Sequence, residues 1–242
     1  MVVPLPASID QNRLWNWAFD LPFPEPRPAS EHPFHATVHQ HTLAWLTRLG
    51  IIHDERTKAQ HVRHDLPSWG LFCYPNAPLD SLKLIGDFAS WWGFCDEILS
   101  DPDHRGRGAD LYVAPLAIVK GEKPGPVDSQ YQPFVNGWQD IWSRWCQGMS
   151  EPWIRQTSEH LRATFQGFID EDRDLCDGVA LNVDQLQLSR DQTGVNYAIL
   201  DLIERADKYV LPPLVARTET MQSMQFRAAR ELWLTQDLQS LH

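Results

Sequence analysis

The chain has 242 residues, 43% of them apolar, enough to bury a sizeable core without disulfide staples. Its 21 basic and 32 acidic residues give a net charge of −11, which excludes a broad electrostatic grip on nucleic acid or on an anionic membrane. Nothing approaches the ~20 apolar residues of a membrane helix, the N-terminus lacks a signal peptide's basic start and long apolar run, and four scattered cysteines (Cys73, Cys95, Cys146, Cys176) form no CxxC pair, so a reducing, cytoplasmic setting is expected.

Seven of the 18 prolines fall within the first 33 residues, so the chain opens on an extended arm laid on the surface. A first helix is expected from Phe34 to about Gly50, with Trp45 and Leu46 on its apolar side. Another begins at Asn76-Ala77-Pro78, where proline suits a first turn, and runs to about Ser100. Asp103–Gly108 and the Pro/Gly-rich Gly121–Ser129 read as loops. From Ser129 to Gln147, Trp138, Trp142 and Trp145 recur at helical spacing, as a buried face does. Ser150 is placed to cap a long helix to about Leu175, with Pro152 in its first turn. Asn182 and Gln185 form the pattern of a capping box that opens a helix to about Arg190. Gly194 breaks it, Val195–Ala206 continues, and a last helix starts near Thr220. No alternating strand pattern occurs and no linker is visible, so residues 1–242 read as one all-α domain behind an arm of residues 1–33.

Two acidic clusters stand out in a chain where 32 acids make clusters common. Ile85, Ala89, Trp92 and Asp96 share one helical stripe, which projects Asp96 from the apolar face. A buried carboxylate needs a cation or hydrogen bonds to receive it. Glu97 and Asp101, four apart, share the neighbouring stripe, and an all-oxygen set suits Mg²⁺ or Mn²⁺ rather than zinc. The second cluster, Asp170–Asp174, encloses Arg173 and reads as a self-neutralised surface helix end. His35 and His39 are four apart and able to chelate a metal, but no acid or cysteine sits at a supporting spacing, so they read as incidental surface histidines.

Taken in order, the motifs resemble the bacterial class I terpene synthases (terpene cyclases). The proline-rich arm and Trp45 helix resemble that family's N-terminal segment. An aromatic lead-in followed by Asp96-Glu97-x-x-x-Asp101 resembles its aspartate-rich metal motif. Arg190-Asp191-Gln192-Thr193-Gly194 resembles its diphosphate-sensing arginine and the helix break after it. Gln236-Asp237-Leu238-Gln239-Ser240 resembles the start of its second metal motif, and the 46 residues from Arg190 to Gln236 match the family spacing. Glu97 and Gln236 depart from the family's aspartate and asparagine. The closing glutamate would fall at position 244, beyond His242, so the expected fold is a class I terpenoid synthase-like helical bundle, incomplete at the C-terminus.

The resemblance implies a prenyl diphosphate held on Mg²⁺ (three ions in the family, Mn²⁺ as a substitute), ionised and cyclised with release of diphosphate. Farnesyl diphosphate leading to a sesquiterpene is the first expectation and geranyl diphosphate the second. The implied metal ligands are Asp96, Glu97, Asp101, Gln236 and Ser240, with Asp237 available to pair with a base. Arg190 would bind diphosphate, and Gly194 would aim its carbonyl at the developing cation with Thr193 as linker. Gly194 suits that place because the backbone must approach closely and take unusual angles. Phe72, Phe88, Trp92 and Phe94 are candidate pocket rings, while Trp138, Trp142 and Trp145 are assigned to the core. No nucleic-acid or membrane partner is implied, and a homodimer is compatible. The alternatives are a prenyl-chain elongating synthase, or a helical fragment that only binds ligand or a partner.

Overall fold

The computed structural model describes residues 28–100, 106 and 108–239; every regular element among them is helical, with no strand. Most of the proline-rich arm lies outside the described residues. Its end, Ala29–Glu31, is a single 3-10 turn leading into α1 (His35–Leu49). There follow α2 (Glu55–His64), α3 (Leu66–Cys73), α4 (Leu79–Ser100), α5 (Gly108–Val119), α6 (Gln132–Cys146), α7 (Glu151–Asp177), α8 (Val183–Thr193), α9 (Asn196–Asp207), the short α10 (Pro213–Ala216) and α11 (Glu219–Gln239).

The expected helices stand within a few residues of their sequence bounds. Asn182 and Gln185 close both hydrogen bonds of the capping box at α8, at 2.9 and 3.0 Å. Ser150 precedes α7 as expected, but its side chain makes no capping hydrogen bond. Four helices went unpredicted, the single turn of α10 among them. In α2 only Thr57 and His61 are buried, so it has no apolar stripe to read. Its start is a reciprocal Asp54–Thr57 box instead of the usual Ser/Thr–Glu form. The short α3 runs straight on from it, and α5 carries Pro115 in its interior, which argues against helix in a sequence.

Helix α4 lies at the centre, buried on most sides, with α1, α3, α6 and α9 packed against it. Two glycines let α3 lie close. A Cβ on Gly70 would come within 2.7 Å of Ile85, and one on Gly93 within 2.2 Å of Leu66. Across the bundle Trp91 donates from its indole N–H to the carbonyl of Phe134 at 2.9 Å. Trp138 and Trp145 are fully buried on α6, as their spacing predicts, and Trp142 packs partly buried beside them. Arg205 of α9 donates to the carbonyls of Arg144 and Trp145 at 2.8 and 2.9 Å, closing the C-terminal turn of α6.

One polar network crosses this core. Asp87 of α4 is fully buried, and it accepts from the Thr42 hydroxyl at 2.8 Å and the Arg144 guanidinium at 2.9 Å. His41 Nε2 lies 3.0 Å away. Arg144 also reaches Asp140, which accepts from the Trp45 indole at 2.7 Å. The Asp87 carboxylate is therefore paired and hydrogen-bonded, the condition under which a buried charge is tolerated.

Candidate active site

Above the buried turns of α4 the helix carries Phe88, Trp92 and Asp96 along one side. Trp92 is the hub of an aromatic wall. Its ring lies 5.8 Å from Phe88, 5.8 Å from Tyr112, 6.1 Å from Phe165 and 5.3 Å from Phe168. Phe165 and Phe168 come from α7 and Tyr112 from α5, so three helices build this wall.

At its upper edge four charged side chains converge. Asp96 is solvent-exposed at the rim instead of buried in the apolar face, because the helix has cleared the aromatic layer there. The protein packed about it still desolvates its carboxyl, raising its pKa above the usual carboxylate range, and the Arg190 charge opposes that rise. Glu171 of α7 behaves alike: desolvation raises it, Arg190 lowers it, and the charges of Asp96 and Asp237 raise it further. Arg190 of α8 is held by Asp237 of α11 through both carboxylate oxygens, with Nε to Oδ2 at 3.0 Å. Asp237 thus pairs with a base, as expected.

Glu171 corrects the sequence reading. The Asp170–Asp174 cluster looked like a surface helix end, and part of it is. Asp170 pairs with Arg173 in the open at 3.0 Å. Successive helical residues differ by ~100° about the axis, so the four acids of this run cannot share one face. Glu171 turns toward Arg190, while Asp172 is buried and accepts from the Gly106 amide at 3.1 Å. The usable signal is the heptad-like step from Phe165 and Phe168 to Glu171 and Asp172, which continues the buried face of α7.

The break after α8 also departs from expectation. Gly194 has ordinary helical angles (φ −66°, ψ −6°); Val195 takes the left-handed conformation, at φ 59°. That is an outlying geometry for a β-branched residue. Gly194 answers to crowding instead, since a Cβ there would lie 2.3 Å from Asn196 Nδ2 and 2.9 Å from the Arg190 carbonyl. Thr193 is buried beside it. A second clamp fixes the register of α8 on α11. Asp191 accepts from Arg230 at 2.9 and 3.1 Å and from the Trp233 indole at 3.1 Å. Together the clamps fix the end of α11 against α8, where Gln236 is exposed.

Other expected residues fall elsewhere. Glu97 is turned 100° from Asp96 and pairs with His64 of α2 at 3.1 Å. Phe94 packs against His61 at 6.4 Å, away from the Trp92 wall, and Phe72 is 49% exposed on α3. Asp101 and Ser240 lie outside the described residues. Among the described residues, Asp96, Glu171 and Asp237 do not bring ligand atoms within 4.8 Å of one another. A cleft of about 650 Å³ between α7, α9 and α11 is lined by Trp153, His160, Tyr197 and Phe226. It sits at the other end of α7, about 16 Å along the axis from Glu171.

A helical bundle with acids and one arginine gathered over an aromatic wall is suited to hold a polyanion through divalent cations while keeping an apolar group dry. Residues 87–242 match the model of terpene synthase family 2, C-terminal metal binding, and the chain belongs to that family. It is 30% identical over 227 residues to pentalenene synthase of Streptomyces exfoliatus, covering 92% of this chain and 66% of that one. It is 26% identical over 225 residues to a (−)-β-caryophyllene synthase of Saccharothrix espanaensis named as cyclising (2E,6E)-farnesyl diphosphate, covering 92% and 62%. The chain thus spans just under two thirds of the length of these relatives. Its fold superimposes on germacradien-4-ol synthase from Streptomyces citricolor with a TM-score of 0.78, over 92% of this chain and 73% of that one, at 21% identity. The architecture is therefore the class I terpene synthase helical fold. No helix among the described residues is long and apolar enough to cross a membrane.

Proposed function

We propose that the protein is a Mg²⁺-dependent terpene cyclase that ionises farnesyl diphosphate, releases diphosphate and closes the hydrocarbon into a sesquiterpene. The observation that carries this reading is the convergence of Asp96, Glu171, Arg190 and Asp237 above the Trp92 wall. The relatives' names support the substrate, and they favour a cyclase over a chain-elongating synthase.

The donor chemistry fits the cation. Asp96, Glu171 and Asp237 offer hard oxygens, and desolvation raises the pKa of the first two against the opposing charge of Arg190. Bound there, Mg²⁺, or Mn²⁺ in its place, would stabilise the charge that develops on the departing diphosphate. Asp96 is the principal ligand in this proposal, supported by Glu171, with Asp101, Gln236 and Ser240 completing the set and Glu97 left to its pairing with His64.

Arg190 offers a planar fork that now grips the Asp237 carboxylate, and the same fork matches two diphosphate oxygens. Exchange of one anion for the other would let α8 register the substrate. The broken turn at Thr193–Val195 separates α8 from α9, and the Gly194 carbonyl is assigned to face the developing cation. Phe88 and Trp92, with Phe165 and Phe168, exclude water and present π faces, each worth up to ~2 kcal/mol to a desolvated cation.

The test is incubation of the purified chain with farnesyl diphosphate and Mg²⁺, followed by gas chromatography–mass spectrometry. A hydrocarbon or terpene alcohol that disappears with Asp96→Asn supports the proposal. A product that survives that substitution removes Asp96 from it, and the absence of any product with farnesyl or geranyl diphosphate overturns cyclase activity for this chain.

A further inference from the structure

The two histidines on the first turns of α1 acquire a partner that the sequence did not reveal. His35 and His39 lie one turn apart with ring centroids 4.2 Å from each other. Asp65, 26 residues on, sits at the corner between α2 and α3 and places Oδ1 3.4 Å from His39 Nε2. Ser68 Oγ lies 3.1 Å from His39 Nε2 and 3.4 Å from His35 Nε2. One nitrogen from each histidine and one oxygen of Asp65 all fall within 4.8 Å. Ligand atoms around a tetrahedral zinc, with bonds near 2.0–2.1 Å, stand about 3.4 Å apart. The His39–Asp65 and His35–Ser68 separations already have that value, and the three ligand atoms need move by about 1 Å to reach it throughout.

Asp65 joins two helices, and its left-handed backbone closes α2 as a C-cap whose amide donates to the His61 carbonyl. It also occupies the N-cap of α3, where an aspartate ordinarily accepts from its own helix's amides. Here it makes no such bond, and its backbone takes the left-handed conformation at φ 50°. Such a conformation costs an L-residue of order 1 kcal/mol and persists where surroundings hold it. The same corner leaves the carboxylate facing His39 across the groove. Behind the pair stands His61, buried, with a ring nitrogen that has no hydrogen-bond partner.

We propose that His35, His39 and Asp65 form a second metal site that takes a borderline transition metal such as Zn²⁺, with Ser68 Oγ or water in the fourth position. Two imidazoles and one carboxylate favour such a metal over Mg²⁺, which prefers oxygens. The site is separate from the acids over the Trp92 wall. It would pin the α2–α3 corner to α1, and that corner also carries His64, the partner of Glu97.

The test is equilibrium dialysis of the full chain against Zn²⁺ in excess Mg²⁺, with the bound metal quantified. One equivalent of Zn²⁺ is expected, together with a rise in melting temperature. His35→Gln, His39→Gln and Asp65→Asn should each weaken binding by more than about 100-fold. His53→Gln, Cys73→Ser and Cys176→Ser should leave it unchanged. Glutamine can keep a hydrogen bond to Ser68, and asparagine tolerates the left-handed angle, so circular dichroism should show folded variants. Should a variant nevertheless unfold, the visible spectrum of the Co²⁺-loaded wild-type chain decides: tetrahedral bands without sulfur charge transfer support the site. No bound Zn²⁺, stoichiometry unchanged in the variants, or thiolate bands in the cobalt spectrum would each overturn it.

Discussion

Asp87 and Asp96 project from the same helix, nine residues apart, and their surroundings differ in kind. Asp87 is inaccessible to solvent and surrounded by Thr42, His41 and Arg144. Asp96 is open at the rim, desolvated by its neighbours and opposed by Arg190. A buried charge with every partner present belongs to the fold. A carboxyl whose ionisation the protein disfavours, at an open rim beside an arginine, is a candidate for function. Burial alone would have ranked the two the wrong way round; the sequence stripe singled out Asp96, though it placed it in the apolar face.

The comparison breaks most visibly at Asp87. Asp87→Ala leaves Arg144 without its buried partner and should cost about 3–5 kcal/mol. At roughly 2–4 °C per kcal/mol for a chain of this size, the melting temperature should fall by about 10 °C or more. Any activity that survives should keep its metal dependence. Asp96→Asn should do the opposite. Turnover should fall by about 10²-fold or more, as when a group facing transition-state charge is removed, while stability is kept or slightly improved. The sign follows from linkage. A carboxyl whose folded pKa is raised favours folding while protonated, and that contribution is lost as pH rises through the folded value. At neutral pH an uncharged asparagine avoids the loss. Thermal melts beside product assays read both halves, and a large drop in melting temperature for Asp96→Asn would erase the distinction.

A smaller effect sharpens the site. Glu171→Gln removes one oxygen donor and one repelling charge and should raise the Mg²⁺ concentration needed for half-maximal turnover by about 10-fold. Because protons compete with the metal at carboxyls with raised pKa values, the wild-type Mg²⁺ requirement should worsen on acidification at a pH above the usual carboxylate range. The variant should show less of that dependence. Magnesium titrations at several pH values measure it, and identical curves would remove Glu171 from the site.

What was legible in the sequence follows the range of each signal. Caps and prolines act over three or four residues, so the Asn182–Gln185 box and the Pro78 boundary were readable without tertiary knowledge. Helix α2 was not, because it buries only two side chains and its cap takes an unusual form. Among site residues, Asp96 and Arg190 stood out by order and spacing. Glu171 was hidden by Asp170 and Arg173, whose local pairing explained the run without it. Asp65 was hidden more deeply. Its meeting with His39 depends on the α2–α3 corner, which no local pattern announces.

Between the two extremes lies the pair His160–Asp201, where a nearly buried acid has a single titratable partner at 2.8 Å. Burial disfavours the His160 imidazolium, but the hydrogen bond and charge of Asp201, aided by Glu159 and Glu204, outweigh it and raise the pKa above 6.5. For a base the sign is the reverse of that for Asp96. The pair contributes fully below the unfolded value and is lost as pH rises through the higher folded value. Its worth is of order 1–2 kcal/mol, that of a charged hydrogen bond. His160→Gln should therefore lower the melting temperature by a few degrees at about pH 6 and by less at about pH 9. The quantity to follow is the wild-type minus variant difference, measured by calorimetry at each pH. A difference that stays constant would mean that His160 contributes packing, against Tyr197 at 5.1 Å, and not charge. A difference that fades with rising pH would place this pair with Asp87, as charge the fold has satisfied.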